Sequence, residues 1–168
     1  NIKNKSYAIT ADVDVPKSGA EGVIVAQGGN TNGWSLYAKG GKLKYCYNFF
    51  GITLSFVESA QAMPAGHHQV RMEFKYDGGG IAKGGGVTLY VDGKAVGQGR
   101  IEHSVPMTFS ADETCDIGKE GGSPVSPDCH CSSSSRFLFV SWRSWSRRFA
   151  AFSNSCASIA FSLSPRTF

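Results

Sequence analysis

No run of about 18 apolar residues occurs in the chain, so no membrane-spanning helix is expected. The opening residues, Asn1-Ile2-Lys3-Asn4-Lys5-Ser6-Tyr7, lack an initiator Met. They also lack the basic start, apolar run and small-residue cleavage site of a secretory leader. The chain therefore reads as a piece of a longer polypeptide, and the compartment of that parent is not legible from it. A disulfide framework is missing too. The 5 cysteines fall at positions 46, 115, 129, 131 and 156, an odd and scattered set. Cys46, inside Tyr45-Cys46-Tyr47, reads as a small buried hydrophobe, and a bridge from it to Cys115 stays open on spacing alone.

A second absence divides the chain. Beyond Asp128 there is no Gly, Asp, Glu, Lys, Gln or Tyr. All 21 glycines and all 13 acidic residues lie in the first 128 positions, with 12 of the 17 basic residues. The body thus carries −1 and the last 40 residues +5, which makes the formal +4 a property of the tail. Arg143, Arg147 and Arg148 beside Trp142 and Trp145 superficially resemble a nucleic-acid or membrane-surface patch. Neither partner is assigned, because the body gives no support for either.

What the body does contain is strand pattern. Tyr7, Ile9, Ala11, Val13 and Val15 alternate with Ser6, Ala8, Thr10, Asp12 and Asp14, and Pro16 ends the run. Gly22 to Gln27 reads as a short buried strand before the turn-forming stretch 28–33. Lys39-Gly40-Gly41 joins the strand at Trp34 to Ala38 with the one at Lys42 to Asn48. A strand is expected between Phe49 and Ser59, centred on Leu54-Ser55-Phe56-Val57. In His67 to Tyr76, Val70, Met72, Phe74 and Tyr76 face one way and Gln69, Arg71, Glu73 and Lys75 the other. Asp92-Gly93 joins Val87–Val91 to Lys94–Ile101, the strongest two-residue hairpin signal present. Met107 to Ser110 is expected to hold a last body strand, with Asp116-Ile117-Gly118 beyond it. Residues 123–128 read as a loop. About nine short strands and no amphipathic helix predict an all-β antiparallel sandwich over residues 1–128.

Several residue groups invite chemistry. Asp112, Glu113 and Asp116 form the densest acidic cluster, able with backbone carbonyls to hold Ca²⁺, or simply a solvated or docking loop. Trp34, Tyr37 and Tyr45, with Tyr47 and Tyr90, could form an aromatic platform for a glycan, though core and cross-strand packing is the better explanation of most of these rings. His67 and His68 are neighbours on a strand and point to opposite faces, so they do not chelate one ion together. Cys129-His130-Cys131 lacks the ligand spacing of a zinc site. The glycine run from Gly78 to Gly86 lacks the Gly-Lys-Ser/Thr ending of a phosphate loop and reads as a flexible connection.

The strand–turn texture resembles the laminin-G-like or concanavalin-like jelly-roll sandwich. A closer resemblance is carried by residues 19–29, Gly33-Trp34-Ser35-Leu36-Tyr37, Lys44-Tyr45-Cys46-Tyr47-Asn48, residues 68–74, Val87 to Gly93, and Phe109 to Gly118. In that order they resemble the C-terminal region of large bacterial arylsulfatases, over residues 1 to about 128. The resemblance implies a bacterial parent, cytoplasmic or periplasmic, whose N-terminal domain hydrolyses sulfate esters with a formylglycine and a divalent cation, usually calcium. The C/S-x-P-S-R motif that yields formylglycine is not in this chain. Ser164-Pro165-Arg166 has Leu163 and Thr167 at the two deciding positions. No catalytic residue and no cofactor is therefore assigned here. The implied partner is the catalytic domain of the same parent, and the alternatives are a lectin-like module for glycans or a purely structural domain. The resemblance also implies a Trp-containing closing strand after Asp128. Instead the chain runs into a Ser-rich tail, 129–168, as an out-of-frame or divergent end would. Arg136 to Trp142 has the alternation to stand in for that strand.

Overall fold

The computed structural model describes residues 2–107, 109, 115–118, 122–129 and 140–141. They form ten strands and one turn of 3-10 helix at Pro127–Cys129. The strands are β1 (Tyr7–Val15), β2 (Gly22–Gly28), β3 (Gly33–Lys39), β4 (Lys42–Phe49) and β5 (Thr53–Ala62), followed by β6 (Gly66–Tyr76), β7 (Gly85–Val91), β8 (Lys94–Ile101), β9 (Cys115–Ile117) and β10 (Val140–Ser141). Two five-stranded antiparallel sheets result: sheet A in the order β10-β1-β6-β7-β8 and sheet B in the order β5-β4-β3-β2-β9. This is the all-β antiparallel sandwich that the alternation predicted. No helix among the described residues is long and apolar enough to cross a membrane.

Each sheet turns one parity of its residues inward. From sheet A come Tyr7, Ile9, Ala11, Val13 and Val15 of β1 and Val70, Met72 and Phe74 of β6. From sheet B come Trp34, Leu36 and Ala38 of β3 with Leu43, Tyr45 and Tyr47 of β4. The hydroxyls of Tyr7 and Tyr45 meet across the core at 2.8 Å, which gives each buried phenol a partner from the opposite sheet. Burial pushes both pKa values well up, so the pair stays protonated through neutral pH.

The turns follow local chemistry. Asp92 and Gly93 both have positive φ (51° and 77°), as a two-residue primed hairpin needs. The glycine run is more ordered than its composition implies. Gly85 and Gly86 already belong to β7, and Asp77 N donates to Gly84 O at 3.0 Å. Met107 and Phe109 lie outside any strand, while Cys115–Ile117 forms β9 against Val25, Ala26 and Gln27. Within the stretch expected to stand in for a closing strand, Val140 and Ser141 pair with Val13 and Asp12 on the edge of sheet A. Residues 136–139 and 142 lie outside the described residues.

Strands β5 and β8 are the edges of opposite sheets, and they close one side of the sandwich by packing together. A Cβ on Gly97 would overlap the Glu58 carbonyl oxygen, and one on Gly99 would approach a Val57 methyl at 2.5 Å. Only residues without a side chain let the two backbones come this close. The same contact fixes which way β5 faces.

Candidate functional site

Strand β5 wears its apolar side outward. Register sets Tyr45 opposite Val57 and Tyr47 opposite Ser55, so the inward tyrosines of β4 carry Val57 and Ser59 into the interior with them. Ser59 satisfies its buried hydroxyl by accepting from Leu43 N at 3.1 Å and donating to Gln61 O at 2.7 Å. Leu54 and Phe56 are therefore left on the outside, 38% and 49% exposed. A one-residue slip would bury them but would turn every other β5 side chain over as well. Phe50 and Ile52, 48% and 82% exposed, continue the same stripe around the β4–β5 turn.

That turn is held rigidly. Phe50 N donates to Asn32 Oδ1 at 2.8 Å, Gly51 N to Asn48 Oδ1 at 2.8 Å, and Ile52 N to Phe49 O at 3.0 Å. Phe50 sits at φ 54°, a left-handed conformation that costs a residue with a Cβ roughly 1–2 kcal/mol. The turn accepts that cost and displays the ring to solvent.

The two remaining exposed large apolar side chains among the described residues lie at the same end. Phe49 packs against His103 with ring centroids 5.7 Å apart, which joins the β4–β5 turn to residues 102–107. Val105 N donates to Tyr47 Oη at 2.8 Å, and Ser104 Oγ donates to Lys83 O at 2.7 Å, which brings in the 77–84 loop. Asn4 ties these pieces together. It donates to Pro106 O at 2.9 Å and accepts from Ala82 N at 3.0 Å. These loops carry Ile81 and Met107, 70% and 80% exposed. Among the described residues, the loops at the opposite end display no exposed large apolar side chain.

Beside the stripe, residues 122–129 lie as a strap across the outer face of sheet B. Val125 is buried among Val23, Ala26, Tyr37 and Cys46, and its carbonyl accepts from Asn48 Nδ2 at 2.8 Å. Asp128 ends the strap in a cradle. Tyr37 Oη donates to Oδ2 at 2.6 Å, Lys39 Nζ to Oδ1 at 2.8 Å and Lys44 Nζ to Oδ2 at 3.3 Å. Lys39 and Tyr37, with Lys44 as a further donor, hold the Asp128 carboxyl down to about 2. Lys44 also reaches Glu58 Oε2 at 3.3 Å, and Lys42 reaches Oε1 at 3.2 Å. The lysines, Lys42 foremost, hold the Glu58 carboxyl below its ordinary value.

The residues singled out from sequence are dispersed. Trp34 and Tyr45 stack inside the core, centroids 6.4 Å apart, and Tyr37 is buried beneath the strap. These three rings therefore offer no open face to a sugar, and the platform reading is corrected on that ground. Asp116 sits in β9 opposite Ala26, whereas Asp112 and Glu113 lie outside the described residues. Among the described residues no three His, Cys, Asp or Glu side chains are grouped to share a metal. His67 and His68 diverge as expected, to Asp14 at 3.0 Å and Asp92 at 2.7 Å. Cys46 and Cys115 are free thiols. Three ladder spacings separate β4 from β9, about 14 Å, which is beyond the reach of a disulfide. His130 and Cys131, and Arg143, Arg147, Arg148, Trp142 and Trp145, lie outside the described residues.

Sequence reading missed the stripe and the strap. The stripe has a signal of its own: Phe50, Ile52, Leu54 and Phe56 share one parity. Only the register with β4 says that this parity faces out.

No family model matches the chain, and no curated protein does. Among solved structures, a native heptameric SAP-like pentraxin from Limulus polyphemus is similar, at 16% identity and a TM-score of 0.45. The match covers 74% of this chain and 56% of the pentraxin, so the chain spans little more than half of that protein's length. A likeness of that degree carries nothing about ligand, activity or assembly.

Proposed function

We propose that this sandwich is the C-terminal, non-catalytic domain of an arylsulfatase, and that it docks on the catalytic domain of the same polypeptide through its apolar end. One observation carries the docking: among the described residues, all six exposed large apolar side chains lie on the β4–β5 turn, the adjoining β5 stripe and the neighbouring loops. At roughly 200 Å² for a large side chain, their exposed parts present on the order of 700 Å², close to one partner's share of a standard interface. Isolated apolar residues on a surface are ordinary, but a rimmed cluster of this size marks a contact. The family assignment rests on the ordered segments between residues 19 and 118 that resemble arylsulfatase C-terminal regions. In that reading the catalytic domain precedes β1, and the lead-in residue Asn4 is fastened at this same end.

The test is binding and turnover together. The chain is titrated into an arylsulfatase catalytic domain freed of its own C-terminal region, with 4-nitrophenyl sulfate as substrate. A complex is expected that Ile52→Asp weakens at least tenfold, while the chain alone turns over nothing. Turnover by the isolated chain would overturn the non-catalytic assignment. Self-association through the same residues, with no affinity for the catalytic domain, would overturn the docking.

A further inference from the structure

We propose that Tyr37, Lys39 and Lys44 form a carboxylate-binding site on the outer face of sheet B, in which the chain's own Asp128 sits as a tethered ligand. This site is separate from the apolar end and does not depend on the docking reading.

The donors are built into rigid strands. Tyr37 and Lys44 are directly opposed across the β3–β4 ladder, and Lys39 stands two residues beyond Tyr37 on the same face. The Tyr37 ring is fully buried, which fixes where its hydroxyl points. Together the three side chains take both oxygens of one carboxylate, and Lys39 Nζ also donates to the Asp128 carbonyl at 3.0 Å. Charge-assisted bonds of this kind are the strong ones.

The ligand half is built differently. Asp128 lies on an irregular segment with a single helical turn, 127–129. The strap is seated by Val125 and bonded through Asn48 and through Ser123, whose Oγ accepts from Asn30 N at 3.1 Å. If the strap lifts, the carboxylate that stays on these lysines among the described residues is Glu58, on Lys44. The vacated position is a cationic cradle with a phenol at its base, its donors set side by side by the β3–β4 register. The chemistry it selects is a carboxylate, as carried by an acidic side chain of a docking polypeptide. Such a group exchanges one for one with Asp128, so the strap is a competitor in cis.

The experiment removes the tether's head group and supplies it in solution. Asp128→Gly in the full chain is unfolded by urea in formate and in chloride at equal ionic strength. The variant is expected to show a saturable rise in midpoint with formate that chloride does not reproduce and that the parent chain lacks. Adding Lys39→Met to Asp128→Gly should abolish the rise. If Asp128→Gly does not fold, Asp128→Asn is titrated with formate while the lysine side-chain NMR signals are followed. Lys39 and Lys44 are then expected to move more than the other lysines. Equal responses of variant and parent chain, a rise that survives Lys39→Met, or uniform lysine shifts would each overturn the proposal.

Discussion

Replacing Gly97 by Ala tests whether the close approach of β5 and β8 holds the sandwich shut. The new Cβ would overlap the Glu58 carbonyl oxygen, and would stand 2.9 Å from the Glu58 carbonyl carbon and 3.3 Å from Ser59 Cα. All three atoms are backbone, so no rotamer change relieves the clash. The two edge strands must part, and parting them loosens Val57 and Ser59 in the interior. Overpacking of this kind costs about 1–3 kcal/mol, more where nothing can yield, and about 3 kcal/mol is expected here. In a chain of this size each kcal/mol moves the thermal midpoint by about 2–4 °C, so Gly97→Ala should melt roughly 6–12 °C below the parent chain. Gly86→Ala supplies the control. It too lies in a strand of sheet A, yet an added Cβ there meets nothing within 4 Å. Restricting the unfolded chain should make that change neutral or stabilising by up to about 1 kcal/mol. Urea denaturation at unchanged slope separates stability from altered compactness. Unfolding free energies for Gly97→Ala and Gly86→Ala that agree within about 0.5 kcal/mol would refute the reasoning.

Asn48→Ala should cost about 3 kcal/mol, because the Asn48 side chain serves Asn30 O, Val125 O and Gly51 N at once; chemical denaturation measures it, and a loss under about 1 kcal/mol would contradict the role of Asn48 as a hub. Asp128 is lowered from 3.8 to about 2 in the folded state, so its contribution is present above pH 4 or so and is lost as pH falls through about 2. After allowance for screening this amounts to on the order of 1–2 kcal/mol, and the gap in urea midpoint between the parent chain and Asp128→Asn should narrow from pH 5 towards pH 2; a constant gap would argue against the ion pairs. Alkylation of the native chain followed by peptide mapping should label half-buried Cys115 well before Cys46, and recovery of a 46–115 linked peptide would contradict the register of sheet B.

How far the sequence discloses this molecule depends on how local each cause is. The alternation in β1 and β6 is a local property, and so is the turn at Asp92 and Gly93, whose positive φ values their residue types favour. These elements were legible with their faces. Trp34 and Tyr45 were legible as strand residues, but nothing in a single strand tells which parity is the inner one, so a buried pair and an exposed platform read alike. Asp128 was legible only as the end of a loop. Its partners Tyr37, Lys39 and Lys44 are 84 to 91 positions away, and no local pattern reports them. Half of that site was nonetheless within reach, because the Gly40-Gly41 hairpin, once its register is drawn, sets Tyr37 opposite Lys44.

Strand β5 is the deeper case. By itself the stretch from Phe50 to Phe56 asks to turn its larger side chains inward. The tyrosines of β4 and the glycines of β8 overrule it, and both lie outside the strand. Ser59 goes inside with its hydroxyl satisfied, and Phe50, Ile52, Leu54 and Phe56 stay outside. A conflict between local preference and global fold is a cost unless something else uses the displaced residues. At about 25 cal/mol per Å², covering the whole apolar end recovers on the order of 15 kcal/mol before the costs of association, which are of similar size for free partners. A partner joined through the chain itself avoids most of the translational and rotational part of those costs. On the docking proposed above, the inverted strand suits an adjoining domain better than a freely diffusing ligand, because a tethered partner keeps most of what burial of that surface returns.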